Sequence, residues 1–179
     1  MALIVEDGTG LADAESYISV ADADAYFSLR GNAAWAALNE AQKEQALRKG
    51  TDYIGQAYRP RWKGSRVNGV QALDWPRSWV QRDDFRYGPL NGTAMIGGMY
   101  YFPADEVPVE VARATAELAV RSLSADLLSD QGAQVTGETV GPISVTYADG
   151  ARQTTRYTAI DALLAPFLKA GGQIAVVRA

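Results

Sequence analysis

Basic and aromatic side chains are interleaved through residues 58–87, the part of the chain best suited to binding chemistry. This segment has seven basic and three acidic residues, whereas the whole chain has a net charge of −4. Guanidinium groups can neutralise phosphates while aromatic rings stack on bases, so the pattern is typical of single-strand nucleic-acid binding. The candidate contact residues of the segment are Arg59, Arg61, Trp62, Lys63, Arg66, Trp75, Arg77, Trp79, Arg82 and Arg86.

The same residues have a second interpretation. They could anchor a long loop to the body of the protein, with the arginines pairing to carboxylates of this chain or of a neighbouring subunit. The flanking segments are acidic, with net charges of −5 over residues 1–57 and −3 over residues 88–179. One basic segment between two acidic ones is not typical of a general nucleic-acid coat protein, so anchoring or subunit contact is the favoured interpretation.

The composition gives little support to catalysis. The chain has no histidine and no cysteine, which removes the usual general base, thiolate metal sites and every Ser-His or Cys-His nucleophile pair. Carboxylates are adjacent at Asp83 and Asp84 and at Asp105 and Glu106, but neighbouring side chains of an extended segment point apart. We therefore expect no catalytic residue, no metal site and no cofactor, and predict that the protein is not an enzyme.

The elements that position these residues are predicted to be mainly α-helical. Apolar residues at steps of three or four, from Val109 to Leu123 and beyond, favour a long helix over about 107–128. Pro108 fits its first turn, where a missing N–H costs nothing. We expect a helical bundle arranged around this central helix.

A second helix is predicted over about 40–57. Asn39 and Gln42 have the spacing of a capping box at its start. Gly50 weakens the interior of this helix, and we expect it to lie where another backbone approaches.

A β-hairpin is predicted at about 142–157. Ile143, Val145 and Tyr147 alternate with small or polar residues, which indicates a half-buried strand. After a turn, residues 152–157 are expected to return as the second strand.

The rest of the chain is predicted to be irregular. Residues 58–104 form a long loop inserted in a single domain that covers 1–172, and 173–179 form an extended tail. No apolar run is long enough to span a membrane. The tail has no obvious partner in the domain core, so we expect it to contact another subunit or protein through Ile174, Val176, Val177 and Arg178.

Several collinear motifs together resemble the tailed-phage head–tail connector (adaptor) proteins, whose members are often labelled DnaT-like, single-stranded DNA-binding. The resemblance covers most of the chain and is carried by Trp62-Lys-Gly, Gln71-Ala-Leu-Asp-Trp-Pro-Arg77, Val107-Pro-Val-Glu-Val-Ala112, Val140-Gly-Pro-Ile-Ser-Val-Thr-Tyr-Ala-Asp-Gly150 and Ile160-Asp-Ala-Leu-Leu-Ala-Pro166.

The resemblance implies a structural role in the virion neck. It implies a ring, usually of twelve copies, that joins the portal protein to a tail-side neck or tail-terminator protein around packaged double-stranded DNA. Assembly would take place in the host cytoplasm. The expectation is therefore a head–tail adaptor, and the alternative, which rests on the Arg/Trp segment, is a single-stranded DNA-binding replication protein.

Overall fold

Helices form most of the regular structure. The computed structural model describes residues 2–82, 101–130, 137–141, 143–146 and 155–169. Within these ranges the α-helices are α1 (Val20–Ser28), α2 (Ala33–Ala36), α3 (Glu40–Tyr58), α4 (Val109–Arg121) and α5 (Thr158–Leu164). Short 3-10 helices follow α3 and α5, at Arg59–Arg61 and Ala165–Phe167. The prediction of a mainly α-helical protein is confirmed, and none of the helices in these ranges is both long and apolar enough to cross a bilayer.

Two pairs of short antiparallel strands accompany the helices. β1 (Ser65–Arg66) pairs with β2 (Arg77–Ser78), and β3 (Gly137–Val140) pairs with β4 (Ile143–Thr146). The first pair lies inside the segment that was predicted to be an irregular loop.

The predicted hairpin is present, but its second strand is not where the sequence placed it. β4 coincides with the predicted strand, yet its partner β3 precedes it in the chain. Gly141 has a φ of 59°, a left-handed conformation that a tight turn between paired strands requires and that glycine adopts without strain. The expected partner lies largely outside the described residues, and its described part, 155–157, has no strand.

α3 begins as predicted and is the longest of the described helices, with 19 residues. The Asn39 side chain accepts from the Gln42 N–H at 2.9 Å, and the Gln42 side chain accepts from the Asn39 N–H at 3.0 Å. The capping box is therefore confirmed.

α4 is shorter than the predicted 107–128 helix. Pro108 occupies its N-cap position, and after Arg121 the hydroxyl of Ser122 donates to the Ala119 carbonyl at 2.7 Å. Such serine contacts compete with continued helical bonding. Val109 and Leu123, expected on the buried face, are 51% and 41% exposed. α4 contributes Val111, Ala114 and Leu118 to one buried cluster and Ala116 and Ala119 to another, so it is buried on two sides.

α3 and α4 pack against each other, and both helices contribute side chains to each of two hydrophobic clusters. One cluster is rich in aromatic side chains and contains Tyr53, Tyr58, Trp62, Trp75, Leu118 and Phe167. The other contains Phe27, Trp35, Leu47, Ala116 and Ala119. Trp62, Trp75 and Val80 of the basic segment, which follows α3, are part of the aromatic cluster.

The two helices approach closely at Gly50. A Cβ atom built on Gly50 would lie 2.6 Å from the Thr115 carbonyl oxygen and 3.1 Å from the Ala119 nitrogen, both backbone atoms of α4. The prediction that another backbone approaches at Gly50 is confirmed. Among the described residues, a Cβ on Gly55 of the same helix would meet the guanidinium of Arg59 at 3.6 Å and no nearer atom.

These contacts predict opposite effects for two alanine substitutions in α3. Gly50→Ala should lower the free energy of unfolding by about 1–3 kcal/mol, because the added methyl group forces the helices apart. Gly55→Ala should leave it unchanged or raise it by up to about 1 kcal/mol, since alanine favours the helix and finds space. Urea unfolding followed by circular dichroism measures both. Equal effects of the two substitutions would contradict the close approach.

Candidate nucleic-acid interface

Asp74 is the main anchor of the basic segment. Its carboxylate is almost fully buried, and it accepts from Arg59 Nε at 3.1 Å and Arg66 Nη2 at 2.9 Å. Its backbone N–H donates to the Tyr17 hydroxyl at 2.9 Å. Burial and the neighbouring Asp74 carboxylate raise the pKa of Tyr17, so its hydroxyl stays protonated at neutral pH. Arg59 and Arg66 therefore hold the loop to the body of the protein.

Arg77 holds together two parts of the basic segment, since it donates to the carbonyl oxygens of Lys63, Gly64 and Asp74. The guanidinium is buried and donates to the carbonyl oxygens of Lys63 at 2.8 Å, Gly64 at 2.9 Å and Asp74 at 3.1 Å. Burial lowers the pKa of Arg77, partly opposed by the Asp74 charge, but an arginine remains protonated. Arg77 is thus buried and bound to backbone carbonyl oxygens rather than presented at the surface.

Trp62 and Trp75 belong to the aromatic cluster. Both are buried, their ring centroids are 5.8 Å apart in an edge-to-face contact, and Trp75 packs in the same way on Phe167 at 5.4 Å. Five of the candidate residues thus make anchoring contacts within the chain, the interpretation that the sequence analysis favoured. These are Arg59, Trp62, Arg66, Trp75 and Arg77.

Trp79 differs from these residues because its side chain is 72% exposed. Its neighbour Val80 is fully buried and accepts from the Phe102 N–H at 2.9 Å, which fixes the local backbone. Trp79 has a φ of 63°, a left-handed conformation that is unusual for a bulky side chain. Its ring meets Tyr101 edge to face, with centroids 5.7 Å apart. We call Trp79 and Tyr101 the aromatic platform.

Positive charges lie beside the platform where two chain segments meet. Trp62 and Leu168 form an antiparallel bridge, and the Lys169 N–H donates to the Arg61 carbonyl at 2.8 Å. Trp62 is buried in the core, whereas Arg61, the last residue of the 3-10 helix, is exposed and Lys63 is partly exposed.

Two further contacts connect these cations to the platform. Gly64, directly after Lys63, lies so close to Trp79 that a Cβ atom on it would be 3.0 Å from the Trp79 carbonyl carbon. Arg82 stands over the ring of Phe102, the residue after Tyr101, with 4.2 Å to the centroid. We call Arg61, Lys63, Arg82 and Lys169 the basic edge.

Sequence reasoning missed Tyr101 and Lys169. Tyr101 belongs to an aromatic run, Tyr100-Tyr101-Phe102, which was a usable signal. The sequence around Lys169 gives no pattern that would predict its position, because the pairing of Trp62 with Leu168 brings it beside Arg61. Of the remaining candidates, Arg86, Ile174, Val176, Val177 and Arg178 lie outside the described residues.

The geometry fits reversible binding of a polyanion with planar groups. Exposed rings accept stacked bases, and exposed cations beside them neutralise phosphates. In the part of the chain that the structure describes, no group of three or more carboxylates is placed to hold a metal ion.

Comparison with protein families gives a match over residues 1–179 to the family described as "Putative DnaT-like ssDNA binding protein". Comparison with curated proteins and with solved structures found no match. The family description agrees with the alternative hypothesis drawn from the Arg/Trp segment.

The match overturns the head–tail adaptor hypothesis. That prediction was wrong, and with it the assignment to the virion neck and the predicted partners: a twelve-copy ring, the portal, a tail-side neck or tail-terminator protein and packaged duplex DNA. The motifs behind it include Gln71, Asp74 and Arg77, which are buried and build the fold, so they carry no information about partners. Because the match extends from residue 1 to residue 179, the chain belongs to the family described as "Putative DnaT-like ssDNA binding protein".

Proposed function

We propose that the protein binds single-stranded DNA through the aromatic platform and the basic edge. The observation that carries this proposal is the contrast among the four tryptophans, all of which lie in described ranges. Trp35, Trp62 and Trp75 are at most 1% exposed, whereas Trp79 is 72% exposed. A large apolar ring left in water while its counterparts are buried indicates a contact surface.

The geometry of the platform suits stacking on an unpaired base. The planes of Trp79 and Tyr101 are almost perpendicular, at 89°. An edge-to-face contact covers only a small part of an indole, so Trp79 still presents a face to a ligand. In duplex DNA the base faces are already stacked on each other, so this contact favours single strands.

The backbone of Trp79 supports the same conclusion. A bulky residue in the left-handed region costs about 1–3 kcal/mol and persists only when its surroundings impose it. Here the buried Val80 and the close approach of Gly64 to Ser78 impose it, with a built Cβ on Gly64 2.1 Å from the Ser78 carbonyl oxygen. Strain of this kind concentrates at binding sites.

The basic edge supplies affinity without sequence preference. Arg61 is about half exposed, and Lys63 and Arg82 are partly exposed. Phosphate neutralisation by such residues is sequence-independent and weakens as salt rises. In this proposal the chain is not an enzyme, and the helices, arranged as a bundle around α4, are the scaffold that holds the binding face.

The first prediction concerns the platform. Trp79→Ala should weaken binding of a fluorescent oligothymidylate by about 5- to 150-fold, because one base–ring stack contributes about 1–3 kcal/mol. Fluorescence anisotropy measures the dissociation constant. Leu29→Ala, which removes another exposed apolar side chain directly after α1, is the matched control and should bind as the wild type does. Equal affinity of Trp79→Ala and wild type would contradict the proposal. Trp62→Ala cannot serve as a test, since Trp62 is buried in the core.

The second prediction concerns the basic edge. Lys63→Gln should make the slope of log K against log salt concentration less negative by about 0.7, since one phosphate contact is lost. Glutamine retains a donor for the Pro166 carbonyl, which Lys63 Nζ reaches at 2.9 Å. Arg113→Gln removes a charge on exposed α4 surface and should leave the slope unchanged. The same change of slope in both variants would show that net charge matters rather than this edge.

A further inference from the structure

A polar cleft lies beside Arg61, at the end of α3. It has a volume of about 350 Å³, within the range of small-ligand sites. Its walls come from α3, from the start of α5 and from residues 155–157. The lining residues that matter here are Tyr53, Tyr58, Arg61, Arg156, Tyr157 and Asp161.

The charges in this cleft are unequal. Asp161 accepts from Arg156 Nε at 2.6 Å and from the Tyr58 hydroxyl at 2.8 Å, and Arg61 Nη1 lies 3.8 Å away. Burial alone would raise the pKa of Asp161, but the hydrogen bonds from Arg156 and Tyr58 outweigh it, and the pKa is lowered. One ionised carboxylate thus faces two guanidinium groups, and both arginines are at least half exposed. The cleft keeps an unneutralised positive charge that solvent can reach.

Aromatic rings form part of the wall beside these charges. Tyr157 packs edge to face on Tyr53, with centroids 5.4 Å apart, and Arg61 lies over the Tyr58 ring at 5.0 Å from its centroid. A planar base and a phosphate could therefore be bound side by side.

Two of the larger clefts lack this combination of charges. One, of about 460 Å³, sets Lys49 against Asp52 and Asp126. The other, of about 550 Å³, sets Arg59 against Asp52 and Asp74. Two carboxylates against one cation repel a phosphate, so neither cleft suits a nucleotide.

We propose that the cleft is a nucleotide subsite for the same DNA strand, with a phosphate between Arg61 and Arg156 and its base against Tyr157. This inference rests on the proposed function. Arg61 belongs both to the cleft and to the basic edge, and Lys63 continues that edge toward Trp79. A strand stacked on the aromatic platform would reach the cleft along these cations, so the two sites form one track.

The test compares variants on an oligothymidylate of about 16 nucleotides, the upper range for a small single-strand-binding domain. Arg156→Gln should weaken binding by about fivefold at about 100 mM salt and make the salt slope less negative by about 0.7, because one phosphate contact is lost. Arg156→Lys keeps the charge and should retain most of the slope. Tyr157→Leu, which removes the ring but keeps an apolar side chain, should weaken binding by about fivefold or more.

Controls separate this inference from the proposed function. Lys49→Gln removes a cation from the 460 Å³ cleft and should bind as the wild type does. Thr155→Glu adds a negative charge at an exposed position of the nucleotide cleft and should weaken binding even if another variant folds poorly. Melting temperatures of all variants verify folding.

The outcomes are distinct. Wild-type affinity and slope in Arg156→Gln and Thr155→Glu, together with loss of binding in Trp79→Ala, would overturn the subsite and leave the platform intact. A loss in Arg156→Gln without any loss in Tyr157→Leu would overturn the base contact, and the cleft would bind phosphate alone. Wild-type affinity in Trp79→Ala as well would overturn the proposed function itself.

Discussion

The ion pairs of the buried Asp74 carboxylate with Arg59 and Arg66 are the contacts on which the position of the basic segment depends. Removing a carboxylate from water costs several kcal/mol unless charged partners compensate. Here Arg59 from the end of α3 and Arg66 from β1 supply that compensation, and Tyr17 receives the Asp74 N–H. Residues 59–82, the described part of the segment after α3, contain only a short 3-10 helix and two short strands, and these contacts fix them to the helices.

This anchor decides which side chains of the segment face water. With Asp74 in place, Trp75 enters the aromatic cluster and Arg77 binds the carbonyl oxygens of Lys63 and Gly64. The backbone at Gly64 then presses against Ser78 and Trp79, and the indole is directed outward. Exposure of the platform is therefore a consequence of burial elsewhere in the same segment. In the proposed function, some cations of the basic segment hold the loop and others bind DNA.

Local signals in the sequence predicted much of the fold. The capping box at Asn39, the close approach at Gly50 and the strand at 143–146 each follow from a few neighbouring residues, and all are present. The choice of strand partner and the length of α4 were missed. The turn at Gly141 pairs β4 with the preceding strand β3, and the Ser122 hydroxyl at the end of α4 competes with continued helical bonding. Neither effect is visible in the periodicity of the apolar residues.

The candidate site was less predictable because burial in an irregular segment depends on distant residues. Nothing in the spacing of Trp62, Trp75 and Trp79 distinguishes the exposed ring from the two buried ones. Lys169 joins the basic edge only through a pairing that spans more than a hundred residues. The resemblance to phage connectors rested partly on Gln71, Asp74 and Arg77, which are buried in the fold, and the function inferred from it was wrong.

Intrinsic tryptophan fluorescence tests the central claim most directly, since three of the four indoles are shielded from any ligand. Adding oligothymidylate to the wild-type protein should quench the emission of Trp79. In Trp79→Phe, binding measured by anisotropy should persist through the remaining ring, while the quenching disappears. Quenching that survives in Trp79→Phe, or wild-type binding without any quenching, would contradict the assignment of Trp79 as the stacking residue.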